Sequence, residues 1–411
     1  MHHSRREFLR ASALVALAPA IPGFLGQFAR AAVPDRDGRV LVVIQLSGGN
    51  DGINTVVPYG DEGYPRLRQK LRLPTAEIKK VNDRVGLHPE LGDFAKLIED
   101  GRLAIVQGVG YPNPNRSHFK SMAYWHTARL DSKDDNPNGD QFAPELVRDP
   151  GWLGRALEQA PVPSDRTPAS VSVGLRPQPA ALRSPRTVSA ALARIDDLAL
   201  AGDANPVAAF PKAASGDDVR AFVQRSLLDA YATADRLRDV AHAKDSGARY
   251  PATGLAGDLR LVARLLKAGF GTRVYYVEHD GYDTHATQLV THERLLGELG
   301  GAVRAFLDDL KGAGLAERVV VLCFSEFGRR AAENGSFGTD HGTAGPVFLA
   351  GGRVKAGLVG MTPSLTDLDG GDLKMSIDFR RVYATLLDEW LGVPAKIVLG
   401  SDYERLPLFR A

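Results

Sequence analysis

Five acidic or imidazole groups crowd into eight residues at Glu278, His279, Asp280, Asp283 and His285. Carboxylate oxygens and imidazole nitrogens are the donor atoms of divalent cations. Placing so many at the end of an apolar run is costly unless a cation pairs with them. Asp51, in Gly48-Gly49-Asn50-Asp51-Gly52, offers a hard oxygen donor, although Asn50, Asp51 and Asn54 could equally serve a turn. Ser117 begins a helical pattern, where the positive end of the helix favours an alkoxide or a bound anion, and where serine is also the ordinary cap. Arg116 beside it is a candidate anion clamp, with His118 nearby. Glu326 in Ser325-Glu326-Phe327-Gly328-Arg329, and His341 between Asp340 and Gly342, add a carboxylate and an imidazole. Taken together, Asp51, Ser117, Asp283 with His285, and Glu326 with His341 form a constellation for one or two divalent ions such as zinc, magnesium, calcium or manganese.

These groups need elements that bring them together. Short apolar runs rich in β-branched residues predict strands at 40–46, 103–109, 170–175, 272–278, 318–324 and 346–350. Helical spacing predicts helices at 90–99, 117–127, 217–241, 257–267, 287–310 and 377–391. The alternation predicts an α/β fold with a mostly parallel central sheet and helices on both faces. In such sheets ligands bind beyond the carboxyl ends of the strands, and each candidate residue follows a predicted strand. Residues 131–215 shift to Pro, Ala, Arg, Asp and Ser with weak periodicity, which predicts an irregular insertion or cap within a single domain spanning 32–411.

The first 31 residues read differently. Arg5 and Arg6 precede a short apolar stretch broken by Pro19, Pro22 and Gly23, with Ala29-Arg30-Ala31 as a cleavage site. The order fits a twin-arginine export signal that engages the twin-arginine translocase, and places the mature protein in the periplasm or outside the cell. Its removal takes away Arg5, Arg6, Arg10, Arg30 and Glu7, a net +3, so the chain's formal +2 becomes −1. That balance carries no electrostatic footprint for nucleic acid. No later apolar run has the length of a membrane span, so an integral membrane protein is not expected. Cys323 is the only cysteine, which excludes an intrachain disulfide.

Gly48-Gly49-Asn50-Asp51-Gly52, Arg116-Ser117-His118-Phe119, Gly281-Tyr282-Asp283-Thr284-His285, Ser325-Glu326-Phe327-Gly328-Arg329 and Gly338-Thr339-Asp340-His341-Gly342, with the paired arginines, resemble an exported bacterial family called domain of unknown function 1501. That family in turn resembles a branch of the alkaline phosphatase and sulfatase superfamily. The resemblance implies an alkaline phosphatase-like fold and a metal-dependent hydrolase of small-molecule or envelope phosphate or sulfate esters. It implies Asp51 as a ligand of one metal, Ser117 as the nucleophile of a double displacement, Asp283 and His341 as ligands of a second metal, and Glu326 in place of an aspartate. The chain departs from the superfamily in carrying Glu326-Phe327 where Asp-His is usual, and in placing His285 two residues after Asp283 instead of four. The Cys or Ser followed by x-Pro-x-Arg of formylglycine sulfatases is absent. The alternative is a non-catalytic periplasmic binding or scaffold protein on the same fold. A metal-free serine hydrolase is disfavoured because no Gly-x-Ser-x-Gly surrounds Ser117.

Overall fold

The computed structural model describes residues 38–130, 149–160, 167–174, 178–187, 189–192, 240 and 247–410. The export signal at 1–31 and nearly all of the helix expected at 217–241 lie outside the described residues.

Nine strands join one sheet: β1 (Val40–Ser47), β2 (Leu103–Gly110), β3 (Ser170–Val173), β4 (Ser189–Leu192), β5 (Val274–Asp280), β6 (Val319–Phe324), β7 (Gly345–Gly351), β8 (Gly357–Val359) and β9 (Ile377–Asp378). The order is β8-β2-β7-β6-β1-β5-β3-β4, with β9 also on β2. All pairings are parallel except those of β7, which runs antiparallel to both β2 and β6. The sheet is thus mostly parallel, as the apolar runs predict, with one reversed member.

Alternation along β1 divides its side chains between two cores, as the period of two requires. Val40, Val42, Ile44 and Leu46 face one and Leu41 and Val43 the other. A short turn α1 (Gly52–Thr55) follows β1. The first core is closed by α2 (Gly92–Glu99), and the second by α3 (His118–Thr127) and α4 (Trp152–Gln159). Further along, α5 (Gly254–Lys267) and α6 (Gln288–Gly312) cover the first core, and α7 (Phe379–Thr385) the second. The helix expected at 377–391 continues beyond α7 as a π turn, Leu386–Leu391, and ends at Gly392 with φ 69°.

The described parts of 131–215 correct the expectation of an irregular insertion. They supply α4 to the second core and β3 and β4 to the sheet itself. β3 falls within the strand expected at 170–175, whereas β4, four residues of Ser, Ala and Leu, gives too weak a periodic signal to be separated from a loop. Among the described residues no helix is long and apolar enough to cross a membrane.

Candidate metal centre

Beyond the carboxyl ends of β1, β5 and β6 the chain turns back on itself tightly. Gly48 and Gly49 have φ of 117° and 75°, and a Cβ on Gly48 would overlap the backbone nitrogen of Asp283. Only glycine allows that approach. The Tyr282 amide donates to the Ser47 carbonyl at 3.0 Å, so the loop after β5 continues the register of β1.

Three side chains converge there. His118, in the first turn of α3, Asp283, after β5, and His341, before β7, each present one ligand atom, all within 4.8 Å of one another. His118 Nδ1 lies 2.7 Å from Glu326 Oε1 and His341 Nδ1 lies 2.8 Å from the Arg116 carbonyl. Both partners accept, so both Nδ1 atoms carry the hydrogen and both Nε2 atoms present a lone pair to the cluster in the neutral rings. His118 Nε2 is buried without a hydrogen-bond partner, 3.6 Å from Asp283 Oδ1. His341 Nε2 is 3.1 Å from the same oxygen. His285, more exposed, adds its Nε2 at 2.8 Å from His341 Nε2 and 3.0 Å from Asp283 Oδ1. Lone pairs facing a carboxylate at these separations call for a cation between them. A carboxylate and a carbonyl that hold the far nitrogens of two histidines are the usual second layer behind metal ligands. The residues fit a divalent ion.

The two rings differ in their electrostatics. The hydrogen bond that His118 donates to Glu326 raises the His118 pKa, whereas burial lowers that of His341. Partial burial pushes Asp283 upward, but the hydrogen bond and the positive charge of Arg329 outweigh it and hold the carboxyl at about 2. It stays ionised and able to ligate.

Arg329 organises the loops. Its buried guanidinium donates to Asp283 Oδ1 at 2.7 Å and to the carbonyls of Gly49 at 2.6 Å, Tyr282 at 2.9 Å, Thr339 at 2.9 Å and Gly48. One side chain thereby fastens the loops following β1 and β5 and the segment leading to β7.

Two expected ligands have other work. Asp51 is fully buried, with its oxygens 2.5 and 3.0 Å from Arg68 and 2.5 Å from Gln288, and it caps α1 through the amides of Ile53 and Asn54. Burial raises its pKa, yet Arg68 brings it below the ordinary carboxylate value. Its negative charge is already balanced by that guanidinium, so it stands outside the ligand group. Glu326 stands behind His118, its oxygens accepting from His118, the Gly48 amide and the Ser325 hydroxyl. Those hydrogen bonds overcome the upward push of burial and keep it ionised as a support for the ligand.

Ser117 is the N-cap residue of α3, but its half-buried hydroxyl makes no cap bond. The Arg116 guanidinium is paired with the buried Asp372, while its carbonyl holds His341. The sequence places His118 only as a neighbour of Ser117, and gives Arg329 no role beyond its place in a motif. The signal for both is present: each lies just past a strand end, in a motif already singled out for other members.

No curated protein matches this chain. Solved structures similar to it include the C-terminal periplasmic domain of EcEptC from Escherichia coli in complex with zinc, at 9% identity over 77% of this chain and 74% of that one, with a TM-score of 0.38. The PsFucS1 sulfatase from Pseudoalteromonas sp. aligns at 12% identity over 99% and 78%, with a TM-score of 0.39. A phosphonate monoester hydrolase from Silicibacter pomeroyi aligns at 9% identity over 89% and 77%, with a TM-score of 0.36. Similarity this distant leaves the site to be judged on its own geometry. One family's sequence profile matches residues 38–399, most of the chain, and the protein belongs to that family, described as protein of unknown function (DUF1501).

Proposed function

We propose that this chain is an exported, metal-dependent hydrolase of phosphate- or sulfate-type esters on an alkaline phosphatase-like scaffold. The observation that carries the reading is the meeting of His118 Nε2, His341 Nε2 and the ionised Asp283, with the His118 nitrogen buried and unpartnered. His118, Asp283 and His341 would hold one ion, with His285 adjoining; nitrogen donors suit zinc better than calcium or magnesium. An ion bound there supplies Lewis acidity that stabilises negative charge on the transferring group.

The chain's own residues supply the rest. Ser117 stands one residue before His118 at the amino end of α3, where the helix field favours its ionised form as nucleophile. Arg116, steadied by Asp372, offers positive charge beside it for the oxygens of the ester. Arg329 keeps Asp283 ionised and in place. A second ion at Asp51 is not part of this reading, because Arg68 already occupies that carboxylate.

Elemental analysis of the mature protein, purified without chelator, tests it. About one equivalent of a divalent metal is expected, lost in an Asp283→Ala, His341→Ala double variant together with hydrolysis of aryl phosphates or sulfates. Absence of metal from the unaltered protein would sink the reading, and metal without any hydrolysis would leave a binding protein.

A further inference from the structure

Seven large apolar side chains are exposed among the described residues, and four of them lie in the segments that carry the ligands. Phe119, 66% exposed, follows His118; Leu289 and Val290, the latter 77% exposed, open α6 just after His285; Phe337, 54% exposed, precedes His341.

Phe337 is the most telling. Its φ of 58° is left-handed, a conformation unfavourable for an aromatic residue. Its carbonyl accepts from the Gln288 amide at 2.8 Å, and the neighbouring Ser336 carbonyl accepts from Thr287 at 3.1 Å. The following Gly338 lies so close to His285 that a Cβ there would overlap the histidine carbonyl. The Phe337 backbone is therefore fastened beside His285 and the first turn of α6, while its side chain stays largely in water. An exposed ring contributes little to folding, and asparagine or glycine would suit that backbone better. The anionic part of an ester belongs at the ligand group, and the apolar side chains next to it match the organic part.

We propose that Phe337 and Val290, with Phe119 beside His118, form an apolar lip that receives the organic group of the substrate, so that the centre prefers aryl or similarly apolar esters to small or sugar-bearing ones. This rests on the hydrolase reading above.

The test compares phenylphosphonate with methylphosphonate, which share a charged head and differ in the ring, by calorimetric titration of the full chain loaded with zinc. Zinc content is measured first. The expected result is binding of phenylphosphonate at least about tenfold tighter than methylphosphonate. Phe337→Asn and Val290→Ser should each shrink that ratio while zinc content, melting temperature and methylphosphonate affinity stay unchanged. Asparagine tolerates the left-handed backbone, so the first variant keeps its fold. Equal affinities, or a ring preference that survives both substitutions, would overturn the lip and leave the hydrolase reading standing. Zinc-loaded protein that binds neither phosphonate would overturn both, as would failure to take up zinc.

Discussion

Two buried carboxylates at this end of the sheet do opposite jobs, and substitution separates them. Glu326 orients His118 through a 2.7 Å contact. Glu326→Gln should therefore weaken metal affinity about ten- to a hundredfold while the protein stays folded, read by competition with a chelating dye. Asp51 balances Arg68, and both side chains are fully buried. Asp51→Ala leaves an unpaired interior cation and should destabilise the fold by about 3–5 kcal/mol in a denaturant titration, yet leave the metal stoichiometry of the folded fraction unchanged. Loss of the ion without loss of stability would restore Asp51 to the ligand set. The sequence shows Asp51 and Glu326 as donors but not their partners, because Arg68 and His118 are brought to them only by the folded chain.

At the scale of elements, the sheet was legible where strands are buried on both faces. Val319-Val320-Val321-Leu322 can hardly be anything else, and all six predicted strands are present. Short edge strands such as β8 and β9 carry little apolar signal and were not. Nor was the direction of β7, which a run of apolar residues does not encode. Packing of α6 against the loop after β1 buries His292, whose Nε2 lies 3.0 Å from Asn50 Oδ1. Burial lowers its pKa from 6.5 to about 4. The unfolded chain therefore takes up a proton at a higher pH than the folded one. This histidine's contribution is complete above about pH 6.5 and is lost as pH falls through about 4, at about 1.4 kcal/mol per pKa unit. His292→Gln should flatten the decline of melting temperature across that window; an unchanged profile would exclude His292 as its source.

For the whole molecule, the paired arginines make a prediction that the fold does not. Arg5→Lys with Arg6→Lys should retain the full-length protein in the cytoplasm, unprocessed, in a fractionation experiment. Processing and export that continue unchanged would remove the twin-arginine route.

The reversed strand β7 has a consequence for how the centre is divided along the chain. A parallel successor to β6 would have required the connection to cross to the far edge of the sheet before starting again. Because β7 runs back, the connection leaves and re-enters at the same edge, and Glu326, Arg329 and His341 are all carried by one continuous loop. Half of the site is thus a single cassette, which could be exchanged between relatives as one piece of sequence without disturbing the strand order beneath it.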